Sequence, residues 1–568
     1  MRRKLVFALA PLVVACSARP KVAATPEPPG ATSTSNTPSG RPDLGDRVGS
    51  ANFPTSCSPS EKGEIDRAVA LLHSFFYDEA RRRFQAIAER DSKCAMAQWG
   101  VAMTYWHPIW AAPRPDELEA GLAAVKKARS IEPVSPRERA YIEAIEAFYV
   151  APTGSAEPAS QSCHGVVVSD HMKGALAYEG KMQSVVAQFP SDIEAKAFYA
   201  LALLATHPPT DATLAKPAKA ARILEELFPA NPDHPGIAHY LIHSYDYPPV
   251  AEKGLPAARS YARMAPWVPH ALHMPSHIFT RLGMWEDSAA SNLAAAEAAR
   301  KYEARFHPGA HAAEELHALD YMVYAYLQSG QDAKAKSIVD YVATIDKTNP
   351  PVDLVAGSPF ATIPARYALE RRKWAEAAAL KPTKLATNLP FIEAHVAYAN
   401  AIGSARSNDP AGVKAGILRL KELRDAIHDP KYQYFVKQVD VQRAAAEAWL
   451  LRVTGEKKAA IAAMRSAADT EDALGKHPST PGAVLPIREQ LADLLYEEGD
   501  AAESLAEYER ALRTTPNRLL ALSGAAHAAD RAHDATRAQS YFEKIAAIRG
   551  TGDGRNEIAE ARARVKKQ

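Results

Sequence analysis

The sequence predicts an all-α fold, built as an irregular solenoid of helical hairpins, and three observations lead to this prediction. Apolar residues make up 47% of the 568 residues and charged residues 24%, while only 28 residues are glycine, a composition typical of a folded globular protein. Good helix formers fill long stretches, and no run alternates in the manner of a β-strand. The C-terminal region also repeats itself every 34 residues. A polytopic membrane protein is therefore excluded, and the composition argues against a sandwich, a barrel or a Rossmann sheet.

The charge of the chain is close to balanced. Lys and Arg total 68 and Asp and Glu total 66, which gives a formal net charge of +2. Such a chain has no overall positive field to attract phosphate backbones. We therefore expect no nucleic-acid partner.

The N-terminus has the pattern of a bacterial lipoprotein signal peptide. Residues 1–4 are short and basic, residues 5–15 are almost continuously apolar, and small residues precede Cys16. Eleven apolar residues are too few to cross a membrane of about 30 Å, so the segment is predicted to be a cleaved signal over residues 1–15, with Cys16 acylated. The alternatives are a plain secretory signal cleaved near Ala18 and an apolar N-terminus that stays in the cytoplasm.

Residues 16–52 are predicted to form a disordered tether behind the acylated cysteine. The segment is rich in Pro, Ser, Thr and Gly and has almost no large apolar residue, so it cannot bury enough surface to offset its chain entropy. Ser17, rather than Asp, follows the cysteine, which by resemblance to Gram-negative lipoproteins indicates the outer membrane. We expect an exported protein that contacts the membrane through its lipid anchor, on the periplasmic or the surface face.

Three cysteines follow Cys16, namely Cys57, Cys94 and Cys163. An odd number cannot pair completely within one chain. A disulfide between Cys57 and Cys94 would tie the first hairpin to the end of the tether and leave Cys163 as a free thiol. The sequence does not establish the connectivity.

The 34-residue repeat is clearest near the C-terminus. A shift of 34 residues places Ala492 on Ala526 and Tyr508 on Phe542. The small residue lets two helices approach, the aromatic ring fills the groove between repeats, and Gly499 ends the first helix. Residues 485–549 therefore resemble two tetratricopeptide (TPR) repeats.

Looser forms of the same pattern occur upstream, separated by Pro-rich turns. They predict about seven to nine hairpins in one solenoid, with an N-terminal array over residues 53–382 and a C-terminal array over residues 383–568. The segments at residues 94–110, 239–248, 270–285, 317–330 and 476–489 resemble a group of bacterial TPR-containing exported lipoproteins. The resemblance implies a fold and an exported location but no particular activity.

Histidine is the unevenly used residue. Nine of the nineteen histidines lie between His234 and His317. His239 and His243 are four residues apart on one predicted helix face, and His270, His273 and His277 form a second group interrupted by a proline, after which a new helix is expected to begin. Neighbouring helices of adjacent repeats touch, so the two groups are expected to face one another.

Five histidines in this arrangement are candidate ligands for zinc or copper, because three imidazoles with an open fourth position form a common metal site. Asp320, one turn after His317, is a candidate to orient an imidazole. The alternative is that the rings hydrogen-bond to backbone groups at helix ends. Residues 476–482 are interpreted as a rigid connector between hairpins.

The sequence favours a binding role over an enzymatic one. It has no phosphate loop, no nucleophile elbow and no His-Glu-x-x-His motif, so no catalytic residue is assigned. We expect an envelope-anchored scaffold that holds a peptide or protein partner in its concave groove. The rival hypothesis is a metal-binding protein, or a metal-dependent enzyme, centred on the histidines, and a third is a structural assembly factor.

Overall fold

The structure is a computed structural model, and its described residues are 47–109, 112–150, 170–208, 211–351, 354–429, 432–477, 479–550 and 552–566. The signal peptide, the acylated Cys16, most of the tether, Cys163 and Trp110 lie outside these ranges. Residues from Gly45 to Gln568 group as one unit by their contacts, and the division into two arrays near residue 382 remains a prediction.

Helices make up nearly all of the regular structure in the described residues. In chain order they are α1 (Lys62–His73), α2 (Tyr77–Arg90), α3 (Ala95–Met103), α4 (Pro115–Arg129), α5 (Pro136–Val150), α6 (Asp170–Gln188), α7 (Ile193–Ala205), α8 (Ala215–Leu227), α9 (Pro235–Tyr245), α10 (Leu255–Met264), α11 (Pro269–His273), α12 (Pro275–Arg281), α13 (Trp285–Phe306), α14 (Ala313–Gln328), α15 (Asp332–Val342), α16 (Leu354–Gly357), α17 (Pro359–Glu370), α18 (Trp374–Ala378), α19 (Pro390–Arg406), α20 (Pro410–Asp425), α21 (Gln433–Val453), α22 (Lys457–Leu474), α23 (Ile487–Glu498), α24 (Ala501–Thr514), α25 (Leu519–Arg531), α26 (Ala535–Ala546) and α27 (Asn556–Val565).

Short elements complete this part of the chain. Four 3-10 helices cover Pro59–Glu61, Phe228–Ala230, Ala251–Gly254 and Ala386–Asn388. Two strands of two residues each, β1 (His311–Ala312) and β2 (Thr348–Asn349), pair in parallel. In the ranges given above, the helices are all too short or too polar to cross a membrane.

Consecutive helices pack as hairpins along the chain, which confirms the predicted all-α, TPR-like solenoid. The pairs outnumber the seven to nine expected, because several hairpins use short helices that begin at a proline and have no clear period in the sequence. The pairs are α1–α2, α3–α4, α5–α6, α7–α8, α9–α10, α12–α13, α14–α15, α17–α18, α19–α20, α21–α22, α23–α24 and α25–α26.

The C-terminal repeats have the packing that the 34-residue period predicts. Gly499 ends α23 in the left-handed conformation, with φ of 99°. Tyr508 on α24 lies against Gly524 on α25, where an added Cβ would come within 2.1 Å of its ring. Small residues at these crossings therefore set how closely successive helices approach.

The folded body begins before residue 53, so the predicted end of the tether is several residues too late. Val48 and Ala51 are buried, and the Ser50 amide donates to the Asp233 carbonyl over 2.9 Å. The Asn52 amide donates to Glu194. The prediction was wrong here because Gly49 and Ser50 give the segment a loop composition. Its two apolar side chains are nevertheless buried against parts of the chain that are distant in sequence.

Cys57 and Cys94 form a disulfide, with their Cα atoms 4.5 Å apart. This is the pairing considered from the sequence. It joins the segment before α1 to the N-cap of α3 across 37 residues of chain, so it restricts the unfolded chain over the whole first hairpin.

Removal of this disulfide is expected to destabilise the N-terminal hairpins. The Cys57→Ala/Cys94→Ala variant should lose about 2–4 kcal/mol of unfolding free energy, because a loop of this length gains that much conformational freedom when it opens. Urea denaturation with and without a reducing agent measures the effect, with Cys163→Ala as the control. Equal stability of the double variant and the unreduced wild type would contradict the prediction.

The C-terminal helices fold back onto the middle of the chain. Trp285 Nε1 donates to the Asn517 carbonyl over 2.8 Å, and Gly283 has a φ of 65° with no room for a Cβ, which would lie 2.2 Å from the Pro516 oxygen. Residues 479–485 also contact α14 and α17. The segment from Lys476 to Thr480 therefore contacts α14 and Asp246, at the C-terminal end of α9, although it lies more than 150 residues further along the chain.

Candidate metal centre

Four helices carry the histidines that come together. His239 and His243 lie on α9, His270 and His273 on α11, and His277 in the first turn of α12, as expected from Pro275. His317 on α14 joins them, although the sequence analysis did not include it among the candidate ligands. The six rings form two groups of three, with the ligand nitrogens of each group within 4.8 Å of one another.

The first triad consists of His239, His243 and His270. The Nε2 atom of His239 lies 3.1 Å from Nε2 of His243 and 3.0 Å from Nε2 of His270. His239 Nδ1 lies 2.7 Å from the backbone carbonyl of His73 and donates to it. The Nε2 atom of His239 therefore has a lone pair, which accepts a hydrogen bond from at most one of its two neighbours.

The second triad consists of His273, His277 and His317. His273 Nδ1 donates over 2.5 Å to the side-chain oxygen of Asn292, whose amide group donates to the Ser288 carbonyl. His277 Nδ1 donates over 2.9 Å to Asp246 Oδ2. The Nε2 atoms of His273 and His277 lie 3.0 Å apart.

Burial lowers the pKa values of these imidazoles and so favours their neutral form. It lowers the pKa of His243 to about 3 and the pKa values of His239 and His273 well below the usual 6.5, with neighbouring histidines adding to the effect. A neutral imidazole has one N–H, and in His273 and His277 the oxygens of Asn292 and Asp246 favour placing that proton on Nδ1. The two Nε2 atoms then face each other across 3.0 Å, a separation that a shared proton or a shared metal ion can bridge.

The spacing of these nitrogens suits a shared ion. Two nitrogens bound to one ion at about 2.1 Å, with an angle of about 90–109° at the ion, are about 3.0–3.4 Å apart. The Nε2–Nε2 distances of 3.0 and 3.1 Å in the two triads match the lower end of this range. In His239, His273 and His277 the other ring nitrogen is held by an oxygen, which is the usual arrangement around metal-bound histidines.

Asp246 is the carboxylate that orients an imidazole, a role the sequence analysis gave to Asp320. Its Oδ1 accepts from Arg281 Nε over 2.8 Å, and its Oδ2 accepts from His277 and from Lys476 Nζ, at 3.3 Å. Burial acts to raise the pKa of Asp246, but Lys476, Arg281 and His277 hold it well below the usual value. Asp246 is therefore a carboxylate neutralised by two cations.

Asp320 points away from the histidines. Its Oδ1 lies 3.6 Å from Nε of Arg366 on α17, and both side chains are buried. α14 is buried on every side, so its polar residues pair with whichever neighbour supplies a countercharge, and for Asp320 that neighbour is Arg366. The expectation that Asp320 orients an imidazole was wrong for this reason.

Lys476 belongs to the site, which corrects the interpretation of residues 476–482 as a connector alone. Its ammonium group lies 3.4 Å from the Tyr321 hydroxyl as well as beside Asp246, and burial lowers its pKa to about 8. Arg366 holds the same segment in place by donating to the carbonyls of Gly482 and Ala483.

Aromatic rings pack around both triads. Phe75 lies over His239, His243 and His270, with ring centroids 4.4–6.0 Å away, and Tyr261 stacks on His239. Tyr321 contacts all three rings of the second triad. His243 is half-buried and the other five histidines are buried, so the edge at His243 offers the access from solvent.

A third histidine group differs from the triads because both of its histidines donate to one shared carboxylate, that of Glu194. His73 accepts from Tyr240 and donates to Glu194, while His234 accepts from the Ile237 amide and donates to the same carboxylate. This group holds α1, α7 and α9 together and positions the carbonyl that orients His239. It is a closed hydrogen-bond network, which the sequence analysis did not identify.

Comparisons with known proteins give a weak structural likeness. No protein-family model and no curated protein matches the chain. Among solved structures, yeast Tom70 is 13% identical over 89% of this chain and 95% of its own, with a TM-score of 0.33. Human IFIT1, as a dimer with m7Gppp-AAAA, is 11% identical over 79% and 89%, with a TM-score of 0.34. The P58(IPK) TPR domain is 14% identical over 66% and 99%, with a TM-score of 0.20.

Proposed function

We propose that the protein binds a transition-metal ion, zinc or copper, through its buried histidine triads. The observation that carries the proposal is the pair of Nε2 atoms of His273 and His277, 3.0 Å apart. The Nδ1 atom of each ring lies against an oxygen, of Asn292 and of Asp246. With the ring protons on Nδ1, both Nε2 lone pairs are directed toward one position that a metal ion would occupy.

The ligand atoms are imidazole nitrogens, which favour zinc and copper over harder metal ions. Imidazole nitrogens suit zinc, copper, iron and nickel, whereas magnesium, calcium and manganese prefer oxygen ligands. The rings are also preorganised, since Phe75, Tyr261 and Tyr321 pack against them. Binding therefore requires little rearrangement of the protein.

Metal uptake tests the proposal directly. The untagged chain is stripped of metal and titrated with Zn²⁺, and in parallel with Cu⁺ without oxygen, while binding and thermal unfolding are followed. We expect saturable uptake and a rise in the unfolding temperature, because a ligand that binds the native state stabilises it. The His395→Ala variant is the matched control, since His395 is also buried but lies outside both triads. A folded protein that takes up neither ion would overturn the proposal.

Asp246 is expected to tune the affinity without binding the ion itself. The Asp246→Asn variant should bind metal about 10–100-fold more weakly, because the acceptor that fixes the His277 ring loses its charge. Competition with a chelator of known affinity measures the change. Asp332→Asn is a control, since Asp332 is also a buried carboxylate paired with arginines but is outside the site. An unchanged affinity in Asp246→Asn would contradict the assigned role.

Partner binding is the second candidate function, and one feature favours it. A groove of about 710 Å³ lies between α21 and α22, remote in sequence from the histidines, with Val441, Leu451, Ala463 and Ala467 among its lining residues. Solenoids commonly bind peptides or proteins on such surfaces. Pull-down with wild type and with a Val441→Glu variant tests this role, and equal capture by both would contradict it.

We also propose that the chain is exported and anchored through Cys16. The Cys57–Cys94 disulfide supports an oxidising compartment, and the signal pattern supports lipidation. Labelling cells with a fatty-acid probe should mark the wild type and not the Cys16→Ser variant. Equal labelling of both would contradict the anchor.

A further inference from the structure

The two triads are in contact with each other. The ring centroids of His243 and His277 are 6.2 Å apart, and so are those of His270 and His273, which belong to different triads. Within a triad, the corresponding distances range from 4.4 to 6.4 Å. The six imidazoles are therefore one continuous group, and ions in the two triads would be close neighbours.

The charge around this group is unusual for two adjacent ions. In the part of the chain that the structure describes, neither triad includes a carboxylate ligand. The adjacent carboxylate, Asp246, is already paired with Arg281 and Lys476. Paired iron or manganese ions in helical bundles are held by several glutamates, whose charge offsets that of the metals. Nothing comparable is present at these triads.

Singly charged ions fit such a setting better than doubly charged ones. Coulomb repulsion scales with the product of the charges, so it is about fourfold weaker between two +1 ions than between two +2 ions at the same distance. Among the metals that imidazole suits, copper is the one with a common +1 state. A neutral set of three imidazoles matches that charge.

We propose that the two triads together hold a pair of Cu⁺ ions, one in each, as a single dinuclear copper centre. This inference rests on the proposed metal binding and specifies its stoichiometry and its metal. His243, at the half-buried edge, marks where a small ligand would reach both ions. Lys476 contacts the same Asp246 oxygen, Oδ2, as His277 and keeps the surroundings positive.

Copper stoichiometry and electron paramagnetic resonance test the pair. The full chain is loaded with Cu⁺ without oxygen, desalted and assayed for copper, then oxidised with ferricyanide and frozen at once, before a doubly charged ion can leave the site. We expect two copper ions per chain and, because neighbouring Cu²⁺ spins couple, a spin count well below the copper content. His270→Ala and His273→Ala, each damaging one triad, should retain one copper with a full spin count. His395→Ala should behave like the wild type.

The other outcomes separate this inference from the proposed function. One copper per chain in the wild type, or two with a full spin count, would overturn the dinuclear centre and leave metal binding intact. Uptake of zinc without copper would also overturn the dinuclear copper centre and leave metal binding intact. Absence of any metal uptake would overturn both. The spin count of the wild type tests the dinuclear centre by itself, so the test holds even if a variant fails to fold.

Discussion

Replacing His239 and His273 together should abolish metal binding, with a loss of affinity of more than about 100-fold. Each substitution removes one of three ligands, so each triad keeps two imidazoles. Both removed rings are held in orientation, His239 by the His73 carbonyl and His273 by Asn292. Inductively coupled plasma mass spectrometry of the untagged wild type and of the double variant measures the effect.

A buried histidine outside the triads provides the control for this double variant. The His395→Ala variant removes a buried imidazole that interacts with Gln442, outside both triads, and should keep its metal. A thermal melt of each protein without metal shows whether the fold is retained. Equal metal content in the wild type and a folded double variant would place the ion elsewhere.

Substituting Arg518 by alanine should lower the free energy of unfolding by about 3–5 kcal/mol. The guanidinium is fully buried and pairs with Glu370 on α17 and with Glu489 on α23, and it also donates to the Tyr324 hydroxyl on α14. Removal leaves two carboxylates buried without their shared countercharge. Chemical denaturation of wild type and variant measures the loss.

Arg537→Ala is the matched control, because Arg537 is half exposed and pairs with Glu509 and Asp534 at the surface. It should cost at most about 1 kcal/mol. Adding Glu370→Gln and Glu489→Gln to Arg518→Ala should recover part of the stability, since the buried charges are then removed. A loss below about 1 kcal/mol for Arg518→Ala would show that the network does not hold the C-terminal repeats to the middle of the chain.

The repeats near the C-terminus could be predicted because their packing is local. The residues that set the approach of α23, α24 and α25, such as Gly499 and Tyr508, lie within one period of each other. Their spacing therefore appears directly in the sequence. The upstream hairpins use short helices such as α11 and α12, which begin at prolines and have too few residues to display a helical period.

Part of the candidate centre could also be predicted. His239 and His243 share a helix face, and the proline at 275 places His277 in a first turn. Periodicity could not predict how the five candidate histidines divide between the two triads. It also could not predict that His317 completes the second triad. His317 lies in the same histidine-rich stretch of the sequence, so the local excess of histidines was the available signal for including it.

The supporting residues were missed because they come from distant segments. Lys476 reaches Asp246 across 230 residues and Tyr321 across 155. Asn292 and His73 act through contacts between helices that no local pattern records. The one available hint was a lysine and a histidine next to each other in a segment otherwise typical of a turn.

X-ray absorption at the metal edge, on the full chain loaded with copper or zinc, tests the central claim most directly. The account predicts a first shell of about three imidazole nitrogens at about 2.0 Å, with the outer-ring scattering that histidine produces and no sulfur. A shell dominated by oxygen or sulfur ligands, or a metal that washes away before measurement, would contradict it.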